Sequence, residues 1–180
     1  YQQIVVLTYG GADDAEVLAS LLRPEDAARV RVVSNDTKLA AAEYTHAAVN
    51  RVVEACAGAP DVVVKTNQFA GGDVAVQIVR QLRAAHKPAA LIARGGYLWT
   101  RFVAYEHGPH SAQADAAAAR ERVICQAADV VVGTTRDMVD DLAWRYHLDP
   151  TRCAVIPNYV LAESDPVAAS ERDPGLLLYA

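Results

Sequence analysis

Six short runs of β-branched and aliphatic residues constrain the fold of this chain more than any other feature. Each run ends at a turn-forming or polar residue, and Ala-rich segments with apolar residues at helical spacing separate most of them. Strands without polar alternation are typical of sheets that are covered on both faces. The runs cover residues 4–7, 30–33, 62–64, 90–93, 130–132 and 154–156. Their alternation with helices predicts an α/β fold, a Rossmann-like doubly wound parallel sheet with helices on both faces.

Polar residues and glycines mark the starts of the predicted helices. Thr37 is expected to cap a helix that runs to about residue 57, and Gly71 opens another that ends before Pro88. Ser111 begins a long helix to about residue 128, and Thr134 or Thr135 caps the last, which ends near residue 147. Between residues 11 and 29 the sequence predicts one short helix at best, from Asp14 to Leu22.

Charge, hydropathy and cysteine content exclude several classes of protein. The formal charge is −5, which argues against a nucleic-acid binder that works through a broad basic face. No apolar run approaches the roughly 18–20 residues that span a bilayer. Three separated cysteines without a CxxC pair or a metal-like spacing predict reduced, mostly buried thiols and a cytoplasmic location.

The pattern divides the chain into unequal parts. Residues 1–160 hold all six apolar runs and are expected to form one domain. Residues 161–175 are polar and interrupted by Pro, so they are predicted to be an interdomain linker. Residues 176–180 are expected to begin the first strand of a second domain, so that the chain would be an excerpt of a longer protein. Whether a strand also precedes Tyr1 stays open.

Candidate ligand-binding residues follow the apolar runs, because ligands of open α/β sheets bind outside the carboxyl ends of the strands. Small, hydroxyl, amide and guanidinium groups converge at these positions, which suits a polyhydroxylated ligand with a phosphate nearby. The alternative is that such residues only form turns and caps. Outside one segment treated next, the candidates are Gly10, Gly11, Asn67, Gln68, Thr134 and Asn158.

The segment from Arg94 to Trp99 combines a cation, two glycines and two aromatic rings. Gly95 and Gly96 allow a ligand to approach the backbone N–H groups, and Arg94 is suited to gripping a phosphate or carboxylate. Tyr97 and Trp99 are candidates for stacking on a sugar or a base. A glycine turn with its aromatic residues packed in the core is the alternative.

Several known motifs are absent from the sequence. It contains no GxGxxG, no P-loop and no GxSxG nucleophile elbow. His107-Gly108-Pro109-His110 could supply a base or a metal pair, but without spaced carboxylates it is interpreted as a loop. No catalytic residue and no metal site is therefore predicted.

Residues 128–135 (Ala-Asp-Val-Val-Val-Gly-Thr-Thr) and 154–160 (Ala-Val-Ile-Pro-Asn-Tyr-Val) resemble the end of the N-terminal domain of family 4 glycosyltransferases, which have the GT-B fold. Residues 59–64 (Ala-Pro-Asp-Val-Val-Val), the Lys87-Pro88 strand entry and the final Leu177-Leu178-Tyr179-Ala180 are similar to further segments of that family. The resemblance covers about residues 58–180 and is most specific at 128–160.

The resemblance implies the acceptor-side half of an enzyme that transfers a sugar from a nucleotide-sugar donor to a glycan or lipid-linked acceptor. By that resemblance Arg94, Gly95 and Gly96 would bind phosphate or position the acceptor. Further acceptor contacts and the hinge would come from Asn67, Gln68, Tyr97, Trp99 and Asn158. The family needs no metal and no cofactor beyond the nucleotide sugar, mostly retains anomeric configuration, and holds its donor through a C-terminal domain. The 180 residues alone would then be inactive.

The sequence also departs from the family pattern. Arg94-Gly95-Gly96 stands where the family commonly has His-Gly, so no catalytic His carries over. Tyr159 replaces the usual Gly and Leu161 a frequent Asp, and only Gly10-Gly11 could form the acceptor loop near the N-terminus.

Two alternatives therefore stay open: a non-catalytic module that binds a nucleotide or sugar, and a nucleotide-sugar epimerase of similar architecture. The resemblance further suggests an enzyme of cell-surface polysaccharide or glycoconjugate synthesis, and the bias toward Arg and Ala suggests a bacterial source. Peripheral contact with the membrane is common in the family but has no supporting basic amphipathic helix in this sequence.

Overall fold

A computed structural model describes residues 2–11 and 13–158 of the chain. The predicted linker, the predicted strand at residues 176–180, Tyr159 and Leu161 lie outside these described residues.

All six predicted strands are present. They are β1 (Ile4–Leu7), β2 (Val30–Val33), β3 (Val62–Lys65), β4 (Ala89–Arg94), β5 (Val130–Gly133) and β6 (Cys153–Val155). Every pair of hydrogen-bonded neighbours is parallel. The predicted α/β class with a parallel, Rossmann-like arrangement is therefore confirmed.

The described residues form seven α-helices between these strands. They are α1 (Asp14–Ser20), α2 (Pro24–Ala27), α3 (Ala41–Ala55), α4 (Gly72–Ala84), α5 (Trp99–His107), α6 (Ala112–Ala127) and α7 (Arg136–Tyr146). Two predicted caps are confirmed, since the hydroxyls of Ser111 and Thr135 accept hydrogen bonds from Ala114 N and Met138 N. The short 3₁₀ turn Pro150–Arg152 leads into β6.

Three helix predictions were wrong. Between residues 11 and 29 one short helix at best was expected, but α2 follows α1 there, because Pro24 can start a new helix. The helix expected from Thr37 begins only at Ala41, because the side chain of Asn35 folds the preceding segment into a loop. Its Oδ1 accepts from Leu39 N and its Nδ2 donates to Leu39 O, both at 2.9 Å, and Lys38 has a φ of 52°. Helix α5 was not predicted at all, and it includes His107 of the segment interpreted as a loop.

The strands are divided between two sheets. A two-stranded sheet pairs β1 with β2, and a four-stranded sheet has the order β3-β4-β5-β6. Their registers place Ile4 opposite Val30 in the first sheet and Ile92 opposite Val130 in the second. Because all strands of a sheet run in the same direction, the carboxyl ends of β3, β4, β5 and β6 share one edge.

Helices flank both faces of the two-stranded sheet. Val5, Leu7 and Val33 pack into a core formed with α3 and α4. On the other face, Val30 and Val32 line a small apolar cavity with residues of α1 and α2. This is the two-sided covering that strands without polar alternation predict.

The larger core covers one face of the four-stranded sheet. Leu91, Ala93 and Val131 point into it and pack against Ile124 of α6 and Leu142 of α7. On the opposite face of β3, Val63 is 48% exposed. The larger core thus anchors the central strands β4 and β5 to α4, α6 and α7.

The three cysteines are free, as predicted: Cys56 and Cys125 are buried and Cys153 is half-buried. Burial raises the pKa of all three thiols, so the structure disfavours thiolate chemistry at neutral pH. No helix in the described part of the chain is long and apolar enough to cross a bilayer.

We predict that Leu91→Ala lowers the free energy of unfolding by about 2–5 kcal/mol, because Leu91 is fully buried in the central strand and its loss leaves a cavity. Urea unfolding followed by circular dichroism measures the change. Val123→Ala, on the exposed side of α6, is the matched control and should shift stability by at most about 0.5 kcal/mol. Equal effects of the two variants would contradict this assignment of the core.

Candidate functional site

The loop between β4 and α5 (residues 95–98, hereafter the β4–α5 loop) lies at the shared carboxyl edge of the four-stranded sheet. Its first residue extends the pairing with β5, since Gly95 N donates to Val132 O at 3.1 Å. The loop therefore starts at the centre of the edge where ligands of such sheets bind.

Side chains that follow β3 hold this loop from one side. Thr66 Oγ1 donates to Arg94 O and accepts from Arg94 N, both at 2.8 Å. Gln68 Oε1 accepts from Gly96 N at 2.9 Å. These bonds fix the backbone on both sides of Gly95, so the sequence candidates Gln68, Arg94 and Gly96 belong to one hydrogen-bonded group.

Residues that follow β5 and β6 complete the group from the other side. Thr134 Oγ1 donates to Gly96 O at 3.3 Å. The guanidinium of Arg94 donates to Asn158 Oδ1 at 2.6 Å across the edge of the sheet. The structure thus brings together Gln68, Arg94, Gly96, Thr134 and Asn158, five of the residues that the sequence singled out.

Close packing explains why glycines occupy the loop. A Cβ on Gly95 would lie 2.4 Å from the ring of Phe69, which is itself buried in the core. A Cβ on Gly96 would lie 3.0 Å from the amide end of Gln68, a flexible group that can move. Gly95 is therefore required for packing, whereas Gly96, whose N–H and C=O are held by Gln68 and Thr134, has a neighbour that can move aside.

An open cleft of about 510 Å³ lies beside the loop, between α5 and the start of α7. Tyr97 and Phe102 form an aromatic pair along it, with ring centroids 5.3 Å apart, and both rings are substantially exposed. The lining comprises Gly96, Tyr97, Leu98, Arg101, Phe102, Thr134, Thr135, Asp137 and Met138. This lining is chemically suited to a sugar. The aromatic rings can contact the apolar C–H face of the sugar ring, and the hydroxyl and carboxylate groups can bind its hydroxyl groups.

Sequence reasoning missed the lining residues contributed by α5 and by the first turn of α7. Arg101 and Phe102 went unnoticed because helix α5 was not recognised. Arg101 is ion-paired, since its guanidinium lies 2.5 Å from Asp141, a carboxylate that it shares with Arg145 at 2.8 Å. This ion-paired group fixes the outer wall of the cleft between α5 and α7.

Trp99 occupies a different place from the one expected of a stacking residue. Its ring packs against the larger core, and Arg120 of α6 lies over it at 5.0 Å from the centroid. Trp99 does not line the cleft. Its position gives it a role in fixing α5 on α6.

Three other candidates lie apart from this group. Gly10 O accepts from Asn35 N at 3.0 Å, which ties the end of β1 to the segment after β2. Gly11 and Asn67 are exposed. In the part of the chain that is described, no hydrogen bond connects these three residues to the β4–α5 loop.

The acidic and imidazole groups near strand ends are engaged or exposed. Asp36, after β2, is held by Arg51 at 3.0 Å, and this hydrogen bond lowers the pKa of its carboxyl. His107 ends α5 at the surface, 3.9 Å from Glu106, before Gly108 with a φ of 94°. Among residues 2–11 and 13–158, no three His, Cys, Asp or Glu side chains cluster so as to hold a metal.

Comparison with known proteins identifies a family and a similar solved structure. A glycosyl transferase 4-like domain matches residues 2–159. A solved structure described as a UDP-N-acetylglucosamine 2-epimerase from Listeria monocytogenes is similar to 85% of this chain, at 15% sequence identity and a TM-score of 0.41. The chain covers 44% of that structure, less than half its length. No curated protein matches the sequence significantly.

We predict that Gly95→Ala destabilises the domain by about 1–3 kcal/mol, because the new methyl group must displace the buried ring of Phe69. Gly96→Ala, one residue further, meets only the movable Gln68 side chain and should change stability by at most about 1 kcal/mol. Thermal unfolding of both variants measures the difference. A Gly95→Ala protein as stable as Gly96→Ala would refute the packing argument.

Proposed function

This chain belongs to the glycosyl transferase 4-like domain family, and we propose that it is the acceptor-side domain of an enzyme that transfers a sugar from a nucleotide-sugar donor to a glycan or lipid-linked acceptor. The observation that carries the proposal is the cleft beside the β4–α5 loop, at the carboxyl edge of the parallel sheet. Its position is the one at which open α/β sheets bind ligands.

In this proposal the two sides of the cleft recognise different parts of an acceptor sugar. The exposed rings of Tyr97 and Phe102 contact the apolar face of a pyranose ring. Thr135 and Asp137 offer a hydroxyl and a carboxylate to sugar hydroxyl groups on the α7 side. A sugar site of this kind depends on a small number of precisely placed groups. The hydrogen bonds that fix the β4–α5 loop therefore serve recognition of the sugar as well as stability of the domain.

Arg94 is the proposed contact to the phosphate of the donor or to an acceptor oxygen. Its bond to Asn158 uses one of the five N–H donors of a guanidinium. The same bond holds the side chain at the carboxyl edge of the sheet, beside the β4–α5 loop. A cation held in this way is preorganised to stabilise negative charge that develops on a leaving phosphate.

The remaining catalytic groups are proposed to lie in a second domain of the same protein, which would bind the nucleotide sugar and close over this one. Retention of anomeric configuration, independence from metal ions, and a place in bacterial cytoplasmic polysaccharide synthesis belong to the same proposal. No residue of this chain is assigned as the nucleophile or the general base.

We predict that the full-length protein transfers sugar from at least one member of a panel of UDP-glucose, UDP-N-acetylglucosamine and GDP-mannose to an oligosaccharide or polyprenyl-diphosphate acceptor. Arg94→Ala should lower kcat/KM by about 10- to 100-fold, because a charge-assisted hydrogen bond contributes about 1.5–3 kcal/mol. Arg94→Lys keeps the charge but loses the planar fork, so it should give an intermediate value.

Arg80→Ala, on the exposed face of α4, is the matched control and should leave kcat/KM unchanged. Unimpaired transfer by the Arg94→Ala protein would remove Arg94 from the proposed site. Hydrolysis or epimerisation of a nucleotide sugar without transfer would point to another activity of the same fold.

We further predict that the purified 180-residue chain alone shows no transfer with any donor that the full-length protein uses. The physical reason is that most of the proposed donor contacts lie in the other domain, so Arg94 alone would not hold the nucleotide sugar. Release of nucleotide diphosphate, followed for both proteins under the same conditions, makes the comparison. Turnover by the 180 residues would overturn the proposed division of labour between the two domains.

A further inference from the structure

Glu121, in the middle of α6, is a buried ionisable residue that has no role in the proposed reaction. It is 0% exposed. Its Oε1 accepts from Trp99 N at 2.9 Å and from Thr100 N at 3.4 Å. Its Oε2 accepts from the hydroxyls of Thr100 at 2.7 Å and Tyr146 at 2.6 Å. Four donors therefore converge on one carboxyl group.

Two of these donors are the first backbone N–H groups of α5. The first turn of a helix has no partners within the helix for its N–H groups, and a side chain at the N-cap usually supplies one. Here the N-cap residue is Leu98, whose side chain cannot accept a hydrogen bond. Glu121 supplies the acceptor from a neighbouring helix, and its negative charge also suits the positive end of the helix dipole.

The position of Glu121 links α6 and α7 to the wall of the cleft. Tyr146 belongs to α7, and the helix that Glu121 caps carries Arg101 and Phe102 in the lining of the cleft. The adjacent Arg120 holds the ring of Trp99 by a cation–π contact. Two consecutive residues of α6 thus fix the first turn of α5, which directly follows the β4–α5 loop.

The chemistry of the cluster favours a geometric role. A buried carboxylate is costly to desolvate, and apolar residues of similar volume often give equal or greater stability. Burial, together with the hydrogen bond to Glu121, raises the pKa of Tyr146, so that its phenol stays protonated and donates. Glu121 does not line the cleft, so it can act on a ligand only through α5 and the loop before it.

We propose that Glu121 is a positioning residue: by capping α5 from α6, it sets the β4–α5 loop and the Tyr97–Phe102 wall in the orientation that binds an acceptor sugar. The inference rests on the proposed function for the identity of the ligand. The capping itself does not depend on that function and can be measured separately.

The first measurement is amide hydrogen exchange in the full-length protein. In Glu121→Ala, Trp99 N and Thr100 N lose their acceptor, so their exchange should accelerate by about tenfold or more relative to the wild type. Ile124→Ala removes a fully buried neighbour on the same helix that packs toward Gly72 of α4. This control should destabilise the domain without selective acceleration at residues 99 and 100. Unchanged exchange in Glu121→Ala would overturn the proposal.

The second measurement is binding of p-nitrophenyl β-glucoside, a small acceptor with a sugar and an aromatic ring, by isothermal titration calorimetry. Glu121→Ala should weaken binding by about tenfold to a hundredfold, because the β4–α5 loop and the rings of Tyr97 and Phe102 would then have to be ordered when the ligand binds. Glu121→Gln should restore binding, since its carbonyl oxygen still accepts from both N–H groups and its amide NH₂ can donate to the two hydroxyl oxygens once their protons turn away. The control Ile124→Ala should bind the glucoside as strongly as the wild type, because it leaves the cap of α5 intact.

Each remaining outcome decides one of the two proposals. Wild-type binding that Glu121→Ala leaves intact would overturn the positioning role. Failure of the wild type to bind or transfer would instead count against the acceptor cleft, and the exchange experiment would still decide the role of Glu121. If Glu121→Ala does not fold, Glu121→Leu, which fills a similar volume but offers no acceptor to Trp99 N and Thr100 N, should show the same selective exchange at residues 99 and 100. Its absence would overturn the proposal.

Discussion

Parallel pairing of β3, β4, β5 and β6 is the constraint on which the rest of this structure depends. This pairing brings the carboxyl ends of the four strands to one edge of the sheet. It also places the loop that follows β4 between the segments that follow β3 and β5. Gln68 and Thr134, each following an adjacent strand, can then reach the same glycine. The cleft beside α5 exists because this loop is held in place, and the proposed recognition of a sugar rests on that rigidity.

Short-range patterns were sufficient to predict the strands but not all of the helices. Each apolar run forms a strand in the structure. The reason is that short runs of β-branched residues pack well in a pleated sheet that helices cover. Helix α3 began later than predicted since the Asn35 side chain competes for the backbone of Leu39. Helix α5 escaped prediction because its cap is Glu121, which lies 21 residues beyond Thr100 and is invisible to local sequence patterns.

The candidate site could likewise be predicted only where it depends on the strands and not on contacts between residues distant in sequence. The rule that ligands bind at carboxyl ends of strands identified Arg94, Gly96 and Thr134, whose contacts follow from the sheet alone. It could not distinguish Tyr97, which is exposed on the cleft, from Trp99, which packs on the core under Arg120. That distinction depends on the direction in which α5 leaves the loop, and hence on a tertiary contact.

The most direct test of the account is to map an acceptor sugar onto the protein by NMR. Titration of p-nitrophenyl β-glucoside into ¹⁵N-labelled protein should shift the amide signals of Gly96, Tyr97, Phe102 and Thr135, which surround the cleft. Signals of α3, on the far side of α4, should stay unchanged. Saturable shifts confined to another surface, with none at these four amides, would contradict the claim that the edge beside β4 is the acceptor site.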